Sequence, residues 1–182
     1  MKKIIILATA LLFCFRAAAQ HYSIGTNIAD AANMGTFNLD GSVSLERHWS
    51  LFAGARYNPF TYGEGADAVT ARQQAYYLGS RYWPWHVYSG WWLSGKAQYQ
   101  EYNRGGFSSP ATTEGDRVGL GLGAGFTYML HPHLNLEFGL GFWAGYDAYV
   151  RYACPICGVT EESGAKAFIL PNDLMLAVAY VF

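Results

Sequence analysis

Cys154-Pro155-Ile156-Cys157 is the spacing in this chain that most resembles reactive chemistry. Two thiols three positions apart can cycle as a redox pair, supply half of a tetrathiolate zinc site, or close a short disulfide. A redox role needs a βαβ setting and a zinc site needs a second pair; the sequence offers neither. With Cys14 lost in a cleaved leader these are the last two cysteines, so an oxidised staple in a polar loop is expected. His48, His86, His131 and His133 all fall in short turns, where imidazoles serve as polar residues rather than as a metal centre. Gly119 to Gly125 resembles a phosphate loop, but such a loop needs a strand–turn–helix setting and this stretch alternates without a break. These glycines instead make room for Trp92, Trp143 and Arg117. No serine, histidine and carboxylate set falls where a nucleophile and base could meet, so no catalytic residue, metal or cofactor is expected.

The start of the chain addresses the compartment. Lys2 and Lys3 precede an apolar run from Ile4 to Phe15, and Ala17-Ala18-Ala19 forms a small-residue cleavage site. That pattern predicts a signal peptide over 1–19 and a single mature domain over 20–182. The composition is 17% aromatic with 21 glycines and only 14% charged residues, against about 25% charged in soluble domains. A net charge of −1 gives no field that would gather nucleic acid.

Period-two alternation supplies the elements. Val118, Leu120, Leu122, Ala124, Phe126 and Tyr128 share one face, with Arg117 and a row of glycines on the other. Leu134 to Phe142 repeats the pattern, and Leu174, Leu176, Val178, Tyr180 and Phe182 repeat it again. Weaker alternation marks strands at Tyr22–Ala29, Phe37–Glu46, Trp49–Tyr57, Gln73–Trp83 and Trp91–Tyr99. Eight strands with short turns at Arg47-His48, His86 to Ser89 and His131-Pro132 alternate with longer connections at Asp30 to Gly35, Phe60 to Arg72, Tyr102 to Asp116 and Tyr152 to Ala167. The predicted fold is all-β, an eight-stranded antiparallel up-and-down transmembrane β-barrel with four extracellular loops.

The inner faces then carry Asp40, Glu46, Arg56, Arg81, Lys96, Arg117, Glu137 and Asp147. Both signs are present, and a barrel of this size is filled by its own side chains, so an internal ion-pair network is expected rather than a channel. Trp49, Trp83, Trp85, Tyr88, Trp91, Trp92 and Tyr128 cluster beside the short turns and are expected at the headgroup level. Leu174, Leu176, Val178, Tyr180 and Phe182 resemble the C-terminal signal read by barrel-assembly machinery.

The segments Arg56-Tyr57-Asn58-Pro59-Phe60, Gly79-Ser80-Arg81-Tyr82-Trp83-Pro84-Trp85, Leu130-His131-Pro132-His133-Leu134-Asn135-Leu136-Glu137 and Ile169-Leu170-Pro171-Asn172-Asp173 resemble an uncharacterised outer-membrane family of Bacteroides-type bacteria, domain of unknown function 3575. The resemblance covers nearly the whole mature chain. It implies a small integral barrel of the cell outer membrane and brings no catalytic residues. The expected partners are outer-membrane lipid, the assembly machinery during biogenesis, and surface or fimbria-like proteins. The expected role is structural or interactive, with a lipid-modifying enzyme or a narrow solute channel as the alternatives.

Overall fold

The computed structural model describes residues 22–65, 68–107, 109–156 and 158–182. The expected leader over 1–19 lies outside these residues. The chain forms β1 (Tyr22–Asn27), a helical turn α1 (Ile28–Ala32), β2 (Phe37–Glu46), β3 (Trp49–Asn58), β4 (Thr61–Tyr62), β5 (Val69–Tyr82), β6 (Gly90–Gly105), β7 (Thr112–His131), β8 (Leu134–Tyr152) and β9 (Thr160–Val181). Every strand pairing is antiparallel, and β1–β9 and β3–β5 pairings close eight strands into a ring, with β4 a two-residue spur on β5. Among the described residues no helix is long and apolar enough to cross a membrane.

Five strand ends, those of β1, β6, β7, β8 and β9, depart from the alternation pattern. β1 stops at Asn27 instead of continuing to Ala29. The Asn27 side chain accepts the Ala29 N–H at 3.2 Å, which caps α1 and turns the chain off the ladder. Met34 (φ 55°) and Gly35 (φ 77°) then reverse it into β2. At the same end, the expected loops Tyr102 to Asp116 and Tyr152 to Ala167 shrink to residues 106–111 and 153–159. Residues 102–105 pair with 112–115, and 148–152 pair with 160–165. Backbone ladders hold these segments although both faces are polar, so hydrophobic alternation gives no signal there.

The ring is inverted relative to a soluble protein. Its outside is lined by Leu39, Leu51, Leu78, Leu93, Leu120, Leu122, Leu140, Phe142, Ile169 and Leu174, all well exposed, with Leu122 at 74% and Ile169 at 75%. Its inside holds Arg81, Lys96, Gln73, Gln98, Gln100, Glu137 and Asp147, all buried. Side chains alternate across each strand, so one register decision assigns all of these at once.

The connection at 83–89 was expected to place Trp83, Tyr88 and, at the start of β6, Trp92 at a headgroup interface. Trp83 and Tyr88 are instead buried, together with Val87 and Val181, at the short-turn end of the ring interior, and Trp92 joins them against Gly125 and Gly139, in keeping with the room that the inward glycines leave for it. The reason is hydrogen bonding. Trp83 N–H donates to the His48 carbonyl at 2.9 Å, Val87 N–H to the Arg47 carbonyl at 2.8 Å, and Trp83 Nε1 to Ser50 Oγ at 3.0 Å. Asn135 Nδ2 reaches the Tyr88 carbonyl at 3.0 Å. These bonds fold the connection back into the ring as a plug. Trp49, Trp85, Trp91 and Tyr128 do stay outside.

Candidate functional site

The interior charges fall into layers. Nearest the plug, Arg81 Nη1 lies 2.8 Å from Glu137 Oε2, with both side chains under a tenth exposed. The Arg81 guanidinium is sandwiched over the Phe52 and Trp92 rings at 4.8 and 4.7 Å. One layer on, the Tyr77 hydroxyl donates to Asp40, while Lys96 Nζ sits 4.9 Å above the Tyr77 ring and Arg56 5.3 Å from it. Arg56 Nε is also 2.8 Å from Asp30 Oδ2. Higher still, Arg117 Nε and Nη2 both approach Asp147 Oδ2 at 3.0 Å, and the Tyr102 hydroxyl donates to Asp147 Oδ1 at 2.9 Å. Asp30, Glu137 and Asp147 thus pair with Arg56, Arg81 and Arg117, while Asp40 accepts from the Tyr77 hydroxyl and Lys96 lies over the Tyr77 ring. Buried charges persist only when paired in this way.

Seven of the eight candidate charges lie inside. Glu46 does not. A register shift between Ser44 and Glu46 breaks the alternation at the last turn of β2, and Glu46 emerges exposed at the rim. Asp30, conversely, joins the interior from α1. It sits in a segment with no strand periodicity, and the only cue to α1 is the Asn27 cap three residues before it.

The remaining candidates have defined places. Cys154 lies in the connection 153–159, and Cys157 falls outside the described residues. His48 Nδ1 is 2.8 Å from the Trp83 carbonyl and His133 Nδ1 2.8 Å from the Val181 carbonyl, so each ties a turn to a neighbouring strand. The His133 ring also stacks on Tyr180 at 5.7 Å. Among the described residues, no group of three His, Cys, Asp or Glu could hold a metal ion. Leu174, Leu176, Tyr180 and Phe182 are exposed on the ring exterior, and Val178 is half-buried.

Two voids remain inside the charged region, of about 30 and 20 Å³, each room for one or two waters. A much larger cleft of about 970 Å³ opens at the long-connection end, lined among others by Tyr57, Gln74, Tyr99, Glu101, Glu114 and Asp116. The Tyr99 hydroxyl bridges Glu101 Oε1 and Asp116 Oδ1 at 2.9 and 2.8 Å, and Gln74 donates to Glu101. Nearby, the Tyr152 and Tyr149 hydroxyls donate to Glu114 and Glu162. Those acceptors hold both phenols above their usual range, since ionisation would set two negative charges side by side. The carboxylates Glu101, Glu114 and Asp116 that line the cleft each accept a bond from a neighbouring hydroxyl or amide.

The model of the family described as protein of unknown function (DUF3575) matches residues 4–182, and the chain belongs to that family. Among curated proteins none matches the chain.

Proposed function

We propose that this chain is an integral β-barrel of a Gram-negative outer membrane, with a filled interior and a structural or interaction role at the cell envelope. The observation that carries the reading is the inversion of the ring. A continuous belt of exposed Leu, Ile, Val and Phe surrounds an interior of paired charges. Water would penalise such a belt heavily, at about 25 cal/mol for each Å² of apolar surface, whereas lipid tails match it. Exposed Trp49, Trp85, Trp91 and Tyr128 at one rim and Tyr57, Tyr99 and Tyr146 at the other fit aromatic girdles.

In this reading residues 1–19 are an export signal, the short turns are periplasmic, and the connections at 28–36, 59–68, 106–111 and 153–159 face outward. The terminal Leu174, Leu176, Val178, Tyr180 and Phe182 serve the assembly machinery, and Cys154 pairs with Cys157 as a loop staple. Lipid surrounds the belt, and the outer connections meet surface proteins. The decisive experiment is fractionation with gel mobility. The protein should sediment with outer membranes, and unheated samples should migrate apart from boiled ones. An epitope inserted between Gly106 and Ala111 should be labelled on intact cells; recovery in the soluble periplasm with no mobility shift would exclude the barrel.

A further inference from the structure

Spacing alone makes the turn imidazoles polar surface residues, but the folded ring sets one pair of them apart. His131 and His133 flank Pro132 in the turn between β7 and β8. Both are exposed, and their rings lie 6.2 Å apart, centroid to centroid. His48, His86 and His133 each hold a backbone carbonyl through Nδ1, at 2.8, 3.0 and 2.8 Å. Among the described residues, only His133 of these three has a second imidazole packed beside it.

The bond to the Val181 carbonyl sets the tautomer of the His133 ring. A carbonyl oxygen only accepts, so Nδ1 carries the proton and the neutral ring presents a bare lone pair at Nε2. Metal-ligating histidines are held in this way, because the bond on the far nitrogen orients the ring and makes the free nitrogen more basic. Tyr180 stacks on the same ring at 5.7 Å and 19°, so its orientation is fixed before any ion arrives. The His131 side chain, among the described residues, has no hydrogen-bond partner and turns toward its neighbour at little cost. Pro132 between the two stiffens the turn by fixing φ.

Distance and ligand type agree with a shared ion. With metal–nitrogen bonds of about 2.0–2.1 Å, two imidazoles on one ion place their centroids about 5–6.5 Å apart. The observed 6.2 Å falls in that interval. The turn Leu130-His131-Pro132-His133-Leu134 contributes imidazole and no carboxylate, a set that suits copper, zinc or nickel and not magnesium or calcium.

We propose that His131 and His133 form a two-imidazole chelate for a late first-row transition metal ion, Cu2+ foremost, with water in the remaining positions. Two protein ligands make the site open and exchangeable, unlike the closed four-ligand sites that hold a fold together. The site depends on the folded seam and not on the surrounding lipid, since it is β9 that brings Tyr180 and Val181 to His133.

The test titrates CuSO4 into the untagged full chain folded in detergent micelles, followed by electron paramagnetic resonance. One equivalent should bind, with hyperfine structure from two nitrogens. His131→Ala and His133→Ala should each weaken binding by at least about tenfold, since even loss of a supporting group around a metal costs that much, and should leave coupling to one nitrogen. His21→Ala, His48→Ala and His86→Ala should change neither affinity nor spectrum. Zn2+ and Ni2+ should compete weakly, and Mg2+ and Ca2+ not at all. Circular dichroism checks the sheet in each variant. If His133→Ala fails to fold, His131→Ala decides alone, because it removes a side chain that holds nothing. Unchanged binding by His131→Ala, an equal loss in His21→Ala, His48→Ala or His86→Ala, or a spectrum without two nitrogens would each overturn the pair. Displacement by Mg2+ as readily as by Zn2+ would overturn imidazole ligation.

Discussion

Arg81 and Glu137 illustrate what single residues do in this interior. Each neutralises the other, and Phe52 and Trp92 exclude water from both sides of the guanidinium. Removing one partner leaves a buried charge, so Glu137→Ala should cost about 3–5 kcal/mol. The paired replacement R81M/E137L should recover most of that loss, because neither charge then needs a partner; urea unfolding of the refolded protein in detergent micelles measures both. Gly125 is the second instructive residue. A Cβ there would lie 2.2 Å from the Phe138 carbonyl and 2.3 Å from Trp92 Cζ2. Gly125→Ala should therefore destabilise by about 1–3 kcal/mol through overpacking, read in the same unfolding assay. Which charges face inward was legible from alternation for Asp40, Arg56, Arg81, Lys96, Arg117, Glu137 and Asp147. The same rule misplaced Glu46, because a bulge changes the phase of the strand without any mark in the residue types.

At the scale of elements, the connection 83–89 matters most. Its Trp83 side chain is fully buried, contacts Tyr88 and Trp92, and is anchored through Nε1 to Ser50. Trp83→Ala should cost about 3–5 kcal/mol and raise binding of a hydrophobic dye at the short-turn end. An exposed interfacial tryptophan would show neither effect. The last strand makes a separate prediction. Phe182 N–H donates to the Tyr22 carbonyl, so the final residue helps close a seam of only five paired positions between β1 and β9, while Val181 N–H ties the strand to the His133 carbonyl on its other side. A chain lacking Phe182 should accumulate unassembled in cells while still refolding in detergent. Normal assembly in cells would remove the recognition role and leave the ring intact. The outer ends of β6 to β9 were not legible as strands, because a ladder with polar side chains on both faces has the composition of a loop.

For the whole molecule, the buried cluster of Trp83, Val87, Tyr88, Trp92 and Val181 closes the short-turn end of the interior, and the voids described among the charges hold about 30 and 20 Å³. Planar-bilayer recordings should show no sustained conductance of porin size, and a large, steady one would contradict the packing described. What this sequence determines by itself is the period of its side chains, and with it the all-β class, the antiparallel order and the two faces of most strands. These are local properties, set by alternation and by the turns between strands. Tertiary structure alone decided that Trp83 and Tyr88 enter the ring, that Asp30 joins its charges, and that β9 outruns β1. Each of these depends on which distant backbone groups meet, such as Arg47 with Val87 or Asn27 with Leu174. Hydrogen-bond partners so far apart along the chain leave no trace in the spacing of apolar and polar residues.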